Sequence, residues 1–363
     1  MLFKKLLKKI NDPNYCYSWF LNRLAYYTKG SFGKPLSIIV LLTNRCNAHC
    51  VHCHSWKFQS SANEMTTEEW KTMFKKLRNW LGPIFISITG GEVLLKKNAI
   101  DIAEYAASLG FWVEFCTNGS LLNHEKVRQL IQSGVKRIKI SLDGSQAEIH
   151  NKIRRRKGFF EKTTNALQML KNEKDRKKQD IKIWGKTAIM SLNVKDLTNI
   201  VKLVQKLGID GVEFQALEPV YYSTQQKNSL WYKGNPLWIT DLAALSQNIQ
   251  SLREMKIQGY PIINSIENLN MIEHYFYDPD GLAYKVHSHE YEKKNLKCKD
   301  WVRGLQIMPD GGMKMCFRMQ PFASVKNGNI KKAWKNRIRC WKKPNLCYKT
   351  NQNVQKNKAL DSD

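Results

Sequence analysis

Three cysteines, Cys46, Cys50 and Cys53, lie in the stretch "LTNRCNAHCVHCHSW" (42–56), with three residues and then two between them. Thiolates are soft metal ligands, and Cys50 with Cys53 forms a C-x-x-C pair of the kind that holds zinc or iron–sulfur centres. A closed zinc site wants four ligands and draws its second pair from a separate hairpin. Here all three thiols share one loop, with His49, His52 and His54 between and beside them. Three thiolates on one loop suit three corners of a [4Fe–4S] cubane, leaving the fourth iron open to an external molecule. The three histidines read as shielding or solvent-facing side chains rather than iron ligands.

The elements that must position this loop alternate between strand and helix. An apolar run, "LSIIVLLT" (37–43 at its core), leads into the cysteines. A helix follows at 66–81, with Thr66 or Thr67 placed to cap it and acids in its first turn. Then come strand 84–89, helix 97–109, strand 111–117, helix 123–133, strand 136–142, helix 159–172, strand 181–190, helix 195–207 and strand 211–217. Six strands separated by helices imply right-handed parallel crossovers, in an α/β fold that is either a barrel or an open sheet. In both, ligand sites gather on loops at the carboxyl ends of the strands, where the cysteines fall.

Outside this unit the chain reads differently. Residues 1–35 begin with "MLFKKLLKKIND", a short basic amphipathic helix by spacing. Packing on its own domain or a partner is the preferred reading for it, with membrane-surface contact of residues 1–10 as the alternative. The charged stretch 171–182 is expected as a surface connection, and the aromatic stretch 219–238 as a lid or pocket-lining loop. A further helix is expected at 239–257, then irregular chain, a cysteine-bearing segment within 259–348, and a polar tail at 349–363.

Lys and Arg number 59 against 31 Asp and Glu, a formal charge of +28. That balance favours acidic or phosphate-bearing partners, nucleic acid among them, although a solvated Lys-rich surface accounts for it equally well. No apolar run approaches the ~18 residues that span a bilayer, and the start lacks the pattern of a secretory signal. The expected compartment is the cytoplasm, where thiols stay reduced and hold metals.

On these motifs the chain resembles the radical S-adenosylmethionine (SAM) enzymes, whose signature is C-x-x-x-C-x-x-C after the first strand of a partial (β/α)6 TIM-like barrel. "ITGGEV" (88–93) resembles the family's GGE motif, with Val93 where a proline is usual. "FCTNG" (115–119), "ISLDG" (140–144) and "HNKIR" (150–154) follow in family order, so the likeness runs over residues 36–218 of a barrel domain at 36–258. It implies that Cys46, Cys50 and Cys53 hold a catalytic [4Fe–4S] cluster. It also implies that Gly90, Gly91 and Glu92 receive the SAM amino group, that Ser141 holds its carboxylate or ribose, and that Arg154 holds its carboxylate. Asp143 and Gly144 read equally as a plain strand-end turn. Arg155, Arg156 and Lys157 read as surface or substrate-phosphate residues, and Cys16 and Cys116 as buried small hydrophobes.

Near the C-terminus, "GLQIMPDGGMKMC" (304–316) reads as a β-hairpin turning at 309–312. Cys298, Gly311 and Cys316 are spaced as in the opening of the SPASM and twitch extensions of the same family, with twelve and then four residues between them. The dense cysteine run of a full SPASM module is absent, so the likeness is to a twitch-like module. It would use Cys298, Cys316, Cys340 and Cys347 for an auxiliary [4Fe–4S] cluster, the last two being unusually spaced. A zinc ribbon or unligated thiols is the alternative.

The resemblance implies reductive cleavage of SAM to a 5′-deoxyadenosyl radical that takes a hydrogen atom from substrate. It further implies a reductant protein such as flavodoxin or ferredoxin, and an oxidation or crosslink aided by the second cluster. A peptide is the preferred substrate, with a small molecule such as a sugar, or RNA, as alternatives. A non-catalytic basic iron–sulfur or zinc protein that binds nucleic acid is the reading from another class.

Overall fold

A computed structural model describes residues 20–21, 24, 33–57, 62–219, 230–279, 304–315, 320–326 and 328–337. The N-terminal segment 1–12, Cys16, part of the aromatic loop, Cys298, Cys316, Cys340, Cys347 and the tail 349–363 lie outside these residues.

The barrel unit is built from β1 (Ser37–Leu41), α1 (Thr67–Leu81), β2 (Phe85–Thr89), α2 (Ala99–Ser108), β3 (Trp112–Thr117), α3 (His124–Gln132) and β4 (Arg137–Ser141). It continues with α4 (Ala147–Arg154), α5 (Phe159–Arg176), β5 (Lys182–Ile189), α6 (Leu197–Leu207) and β6 (Gly211–Ala216). All five pairings from β1 to β6 are parallel and sequential. This is the expected α/β partial barrel. Ile38, Val40, Ile86, Ile88, Val113, Phe115, Ile138 and Ile140 alternate onto the helix-facing side and are buried in the core with Trp70, Phe74 and Leu77 of α1. α1 starts where its sequence requires: Thr66 and Glu69 form a reciprocal capping box that satisfies two orphan amides.

Beyond β6 run α7 (Leu242–Ile257), α8 (Ile266–Tyr277), β7 (Gly304–Ile307), β8 (Gly312–Lys314), β9 (Ala323–Ser324) and α9 (Ile330–Asn336). Two expectations are corrected here. α5 continues to Arg176 through the charged stretch, because Lys, Glu and Arg are good helix formers and Lys171–Asp175 and Glu173–Arg176 pair along its surface. The chain after 257 is not irregular: α8 is capped by Ser265 and buries Leu269, Ile272 and Phe276, tied to α7 by Arg253–Glu273 at 2.8 Å.

The expected hairpin forms as β7 and β8, and it joins the main sheet, with β7 parallel to β1. The sheet order is β6-β5-β4-β3-β2-β1-β7-β8-β9, so among the described residues β1 and β6 do not pair and the barrel stays partial. The open edge of β6 is covered by the segment after α7. Val212 donates its N–H to Pro261 O and accepts from Ile263 N–H. The Asn264 side chain then imitates a strand neighbour, accepting from Phe214 N–H at 2.7 Å and donating to Phe214 O at 2.8 Å. No helix of the described residues is long and apolar enough to cross a membrane.

Replacing Asn264 with Ala strands a buried N–H and a buried C=O of β6. Asn264→Ala should lower stability by about 2–4 kcal/mol, seen as a lower urea midpoint at unchanged slope. A shift below about 0.5 kcal/mol would mean that solvent already serves this edge.

Candidate functional site

The chain leaves β1 at Leu41 and crosses the carboxyl end of the sheet as residues 42–57. Three neighbours fix its path. Gly91 N–H donates to Thr43 O and Glu92 N–H to Arg45 O, both at 2.8 Å. The contact is so close that a Cβ on Gly91 would stand 2.2 Å from Arg45 O, and one on Gly90 2.5 Å from Thr43 O. Glycine is required at both positions by this approach of two backbones. The end of α4 is the second anchor: His49 N–H donates to Arg154 O at 3.1 Å and Val51 N–H to Ile153 O at 2.9 Å, satisfying carbonyls that the helix terminus leaves open. The third is the end of β3, where Asn118 donates to Asn47 Oδ1 at 2.9 Å and Asn47 to Ser120 Oγ at 3.0 Å.

The three thiols gather in a small apolar shell of Ala48 and Phe159, with Cys50 buried and Cys46 and Cys53 half-buried. Cys50 Sγ accepts from an Arg154 Nη at 3.4 Å and Cys53 Sγ from Ser55 N–H at 3.4 Å. Burial pushes the Cys46 thiol up to about 12 and the Cys53 thiol up to about 11. Both therefore keep their protons until a metal displaces them. Among the described residues no three His, Cys, Asp or Glu side chains are arranged to hold a single metal ion. Three thiols on one loop fit thiolates that each take a separate iron of a cluster. Donors already aimed at two of the sulfurs are the outer contacts that such a cluster uses.

Arg154 is buried with its guanidinium between two groups, an Asp143 oxygen at 2.5 Å and Cys50 Sγ. Burial pulls its pKa down, but Asp143 and Cys50 outweigh this and hold it above its usual range. Burial likewise raises Asp143, and Arg154, His52 and His150 outweigh it, holding the carboxyl below the ordinary range. Asp143 thus forms a buried ion pair and accepts from Ala188 N–H at 3.0 Å, so the strand-end turn also anchors the site. Glu92 is fully buried, and its carboxylate accepts from Thr117 Oγ1, Asn118 N–H and Leu94 N–H. Burial raises its pKa. The Glu92 side chain thus ties the end of β2 to the end of β3 through partners inside the protein. Ser141 lies half-buried at the end of β4, on the face opposite Ile138 and Ile140.

Arg156 does not stand free on the surface: it donates to Asn47 O at 2.9 Å and meets a His49 ring nitrogen at 3.0 Å. His49 also packs on Trp56, with ring centroids 4.8 Å apart. Cys116 is half-buried rather than lodged in the apolar core, with its Sγ 3.6 Å from Ser87 Oγ and from Glu114 Oε1.

These last contacts belong to the lumen. The inner positions of β2 to β6 carry Ser87, Glu114, Cys116, Arg137, Lys139, Ser141, Trp184, Lys186, Glu213 and Gln215, whereas apolar side chains face the helices. At the amino end Arg137 stacks on Trp184 (3.9 Å to the ring centroid) and on Trp112 (4.7 Å). Level with it in the sheet, Glu114 is shared by Arg137 and Lys139, and Lys139 reaches Glu213 at 2.6 Å. Parallel barrels usually fill this space with branched apolar side chains. The lumen was missed in the sequence reading, although "KRIKISL" shows its signal in Arg137, Lys139 and Ser141 alternating with Ile138 and Ile140.

The profile of the Radical SAM superfamily matches residues 40–204. AdoMet-dependent heme synthase of Methanosarcina barkeri is 34% identical over 175 residues, 48% of this chain and 48% of the relative. PqqA peptide cyclase of Rhodopseudomonas palustris is 24% identical over 315 residues, 84% of this chain and 75% of the relative. The chain spans about half the length of the first curated relatives it matches, 48% and 44%. Among solved structures, Streptococcus suis SuiB bound to the precursor peptide SuiA shares the fold, with a TM-score of 0.62 at 13% identity, over 83% of this chain and 65% of SuiB. The family implies a [4Fe–4S] cluster and SAM.

In metal-free protein at pH 8, Cys46 and Cys53 should react with iodoacetamide at least about a hundredfold more slowly than a free cysteine, because so little thiolate is present. The rate should rise about tenfold per pH unit toward 11. Peptide-resolved mass spectrometry reads it; ordinary rates at either residue would mean an open loop.

Proposed function

We propose that this chain is a radical SAM enzyme that modifies a peptide, with Cys46, Cys50 and Cys53 as the cluster ligands. The observation that carries the reading is the assembly of three thiols on one loop, clamped by Gly90 and Gly91 and faced by Arg154, over a polar lumen. When bound, the cluster and SAM would supply the one-electron chemistry that removes hydrogen from substrate. The chain's own work is placement. Gly90, Gly91 and Ser141 bring backbone and hydroxyl groups to the mouth where SAM would lie, Arg154 sets positive charge beside the sulfurs, and the lumen below receives the substrate.

A peptide substrate is supported by the reach of the PqqA peptide cyclase match, 84% of this chain, whereas the heme synthase match stops at 48%. The greater identity of the heme synthase, 34% against 24%, supports a second reading, a radical SAM oxidase of a small molecule. Cys298, Cys316, Cys340 and Cys347 would hold an auxiliary cluster, which would supply a one-electron acceptor, and a cytoplasmic flavodoxin or ferredoxin would serve as reductant. Nucleic-acid binding rests on charge alone and is not preferred.

Anaerobically reconstituted protein should form 5′-deoxyadenosine from SAM and dithionite, and the triple change of Cys46, Cys50 and Cys53 to Ala should abolish it. No product above blank from a fully iron-loaded protein would overturn the reading. In the triple variant, iron and sulfide near four each with a cubane EPR signal is the expected outcome if the C-terminal thiols hold a cluster. Their loss to background would remove the auxiliary cluster and leave redox-neutral chemistry.

A further inference from the structure

The lumen charges are matched except at one place. Arg137, Lys139 and Lys186 face Glu114 and Glu213, and both carboxylates are taken by Arg137 and Lys139. Lys186 is half-buried and, among the described residues, has neither an ion pair nor a side-chain hydrogen bond. Its direction follows from β5. Ile183 and Ile189 point into the helix-packed core and Thr187 bonds Leu142 O, so Trp184, Lys186 and Ala188 take the inner face. Lys186 is in register with Ser141 on one side and Glu213 on the other, and its charge lowers the pKa of the inward Cys116.

A half-buried ammonium that makes no ion pair is poorly compensated, and an anion brought by a ligand would complete it. We infer that Lys186 is a specificity-determining residue that receives a carboxylate of the substrate, namely an acidic residue of a peptide. The assignment rests on the radical SAM peptide reading above. It places the carboxylate in the register row of Ser141, just inside the cofactor mouth, so that a second point of attachment would fix which C–H bond faces the radical. Gln306 offers such a point. It lies on β7 opposite Ile39, between the core residues Leu305 and Ile307, and its buried Oε1 lacks a partner among the described residues. A peptide brings both complements, a carboxylate and a backbone N–H.

The test uses full-length, anaerobically reconstituted protein with SAM and no reductant. Two pools of blocked pentapeptides, randomised except for a central Glu or a central Gln, are equilibrated across a dialysis membrane and the retained peptide is measured by mass spectrometry. The Glu pool should be retained at least about tenfold better than the Gln pool. The preference should vanish in Lys186→Met and persist in Lys186→Arg. Equal retention by the wild type overturns the inference with no variant needed, so a misfolded Lys186→Met cannot rescue it. An unchanged preference in a folded Lys186→Met overturns it as well. Glutarate competing as well as the Glu peptides would assign the carboxylate to a small acid and overturn the peptide source. Formation of 5′-deoxyadenosine by the wild type, measured in parallel, tests the radical SAM reading separately.

Discussion

A guanidinium buried between a carboxylate and a thiol is the constraint on which the site depends. Arg154 could not be held at 8% exposure without counter-charge, since an unpaired buried cation costs several kcal/mol. Asp143 comes from the turn after β4, Arg154 from the end of α4, and Cys50 from the loop after β1. The pair therefore draws three separate elements to one point. It also leaves positive charge beside sulfur, which is what a cluster of anionic thiolates needs from its surroundings. The carbonyl of Arg154 accepts from His49 N–H, so one residue fixes the loop through both its backbone and its side chain.

The second constraint is steric. Electrostatics draws the loop inward, but only the missing side chains at Gly90 and Gly91 let Thr43 and Arg45 approach β2 as closely as they do. Glu92 completes the joint by turning away from the loop, its carboxylate spanning to Thr117 and Asn118. The three residues of one motif thus do different work, two by admitting a neighbour and one by tying adjacent strands.

Much of this was legible before any coordinates. Strand and helix alternation, the capping at Thr66, the cysteine loop at the carboxyl edge and the hairpin at 309–312 all follow from period and punctuation, which are local properties. What escaped was set by tertiary packing. α8 carries only a thin apolar stripe at Leu269, Ile272 and Phe276, enough once α7 is there to receive it. The joining of β7 to β1 is a pairing between residues more than 260 positions apart, beyond any local signal. The roles of Asp143 and Arg156 were open for the same reason, because a charge run near a helix end reads identically whether it meets solvent or a buried partner.

The polar lumen is the least ordinary part of the fold. Its charges do not help the barrel to form, because buried ion pairs seldom improve on apolar packing of similar volume. The stability of the sheet comes from the outer face, where isoleucines and valines meet the helices. That separation leaves the inner face free to be shaped for a ligand. Aromatic rings stack on Arg137 toward the amino end, ion pairs link Glu114, Lys139 and Glu213 across the strands, and Lys186 lies in register with Ser141 and Glu213 toward the carboxyl end. An inner face that carries charge in place of apolar filling can hold a polar ligand by ion pairs and hydrogen bonds, which branched apolar side chains could not do.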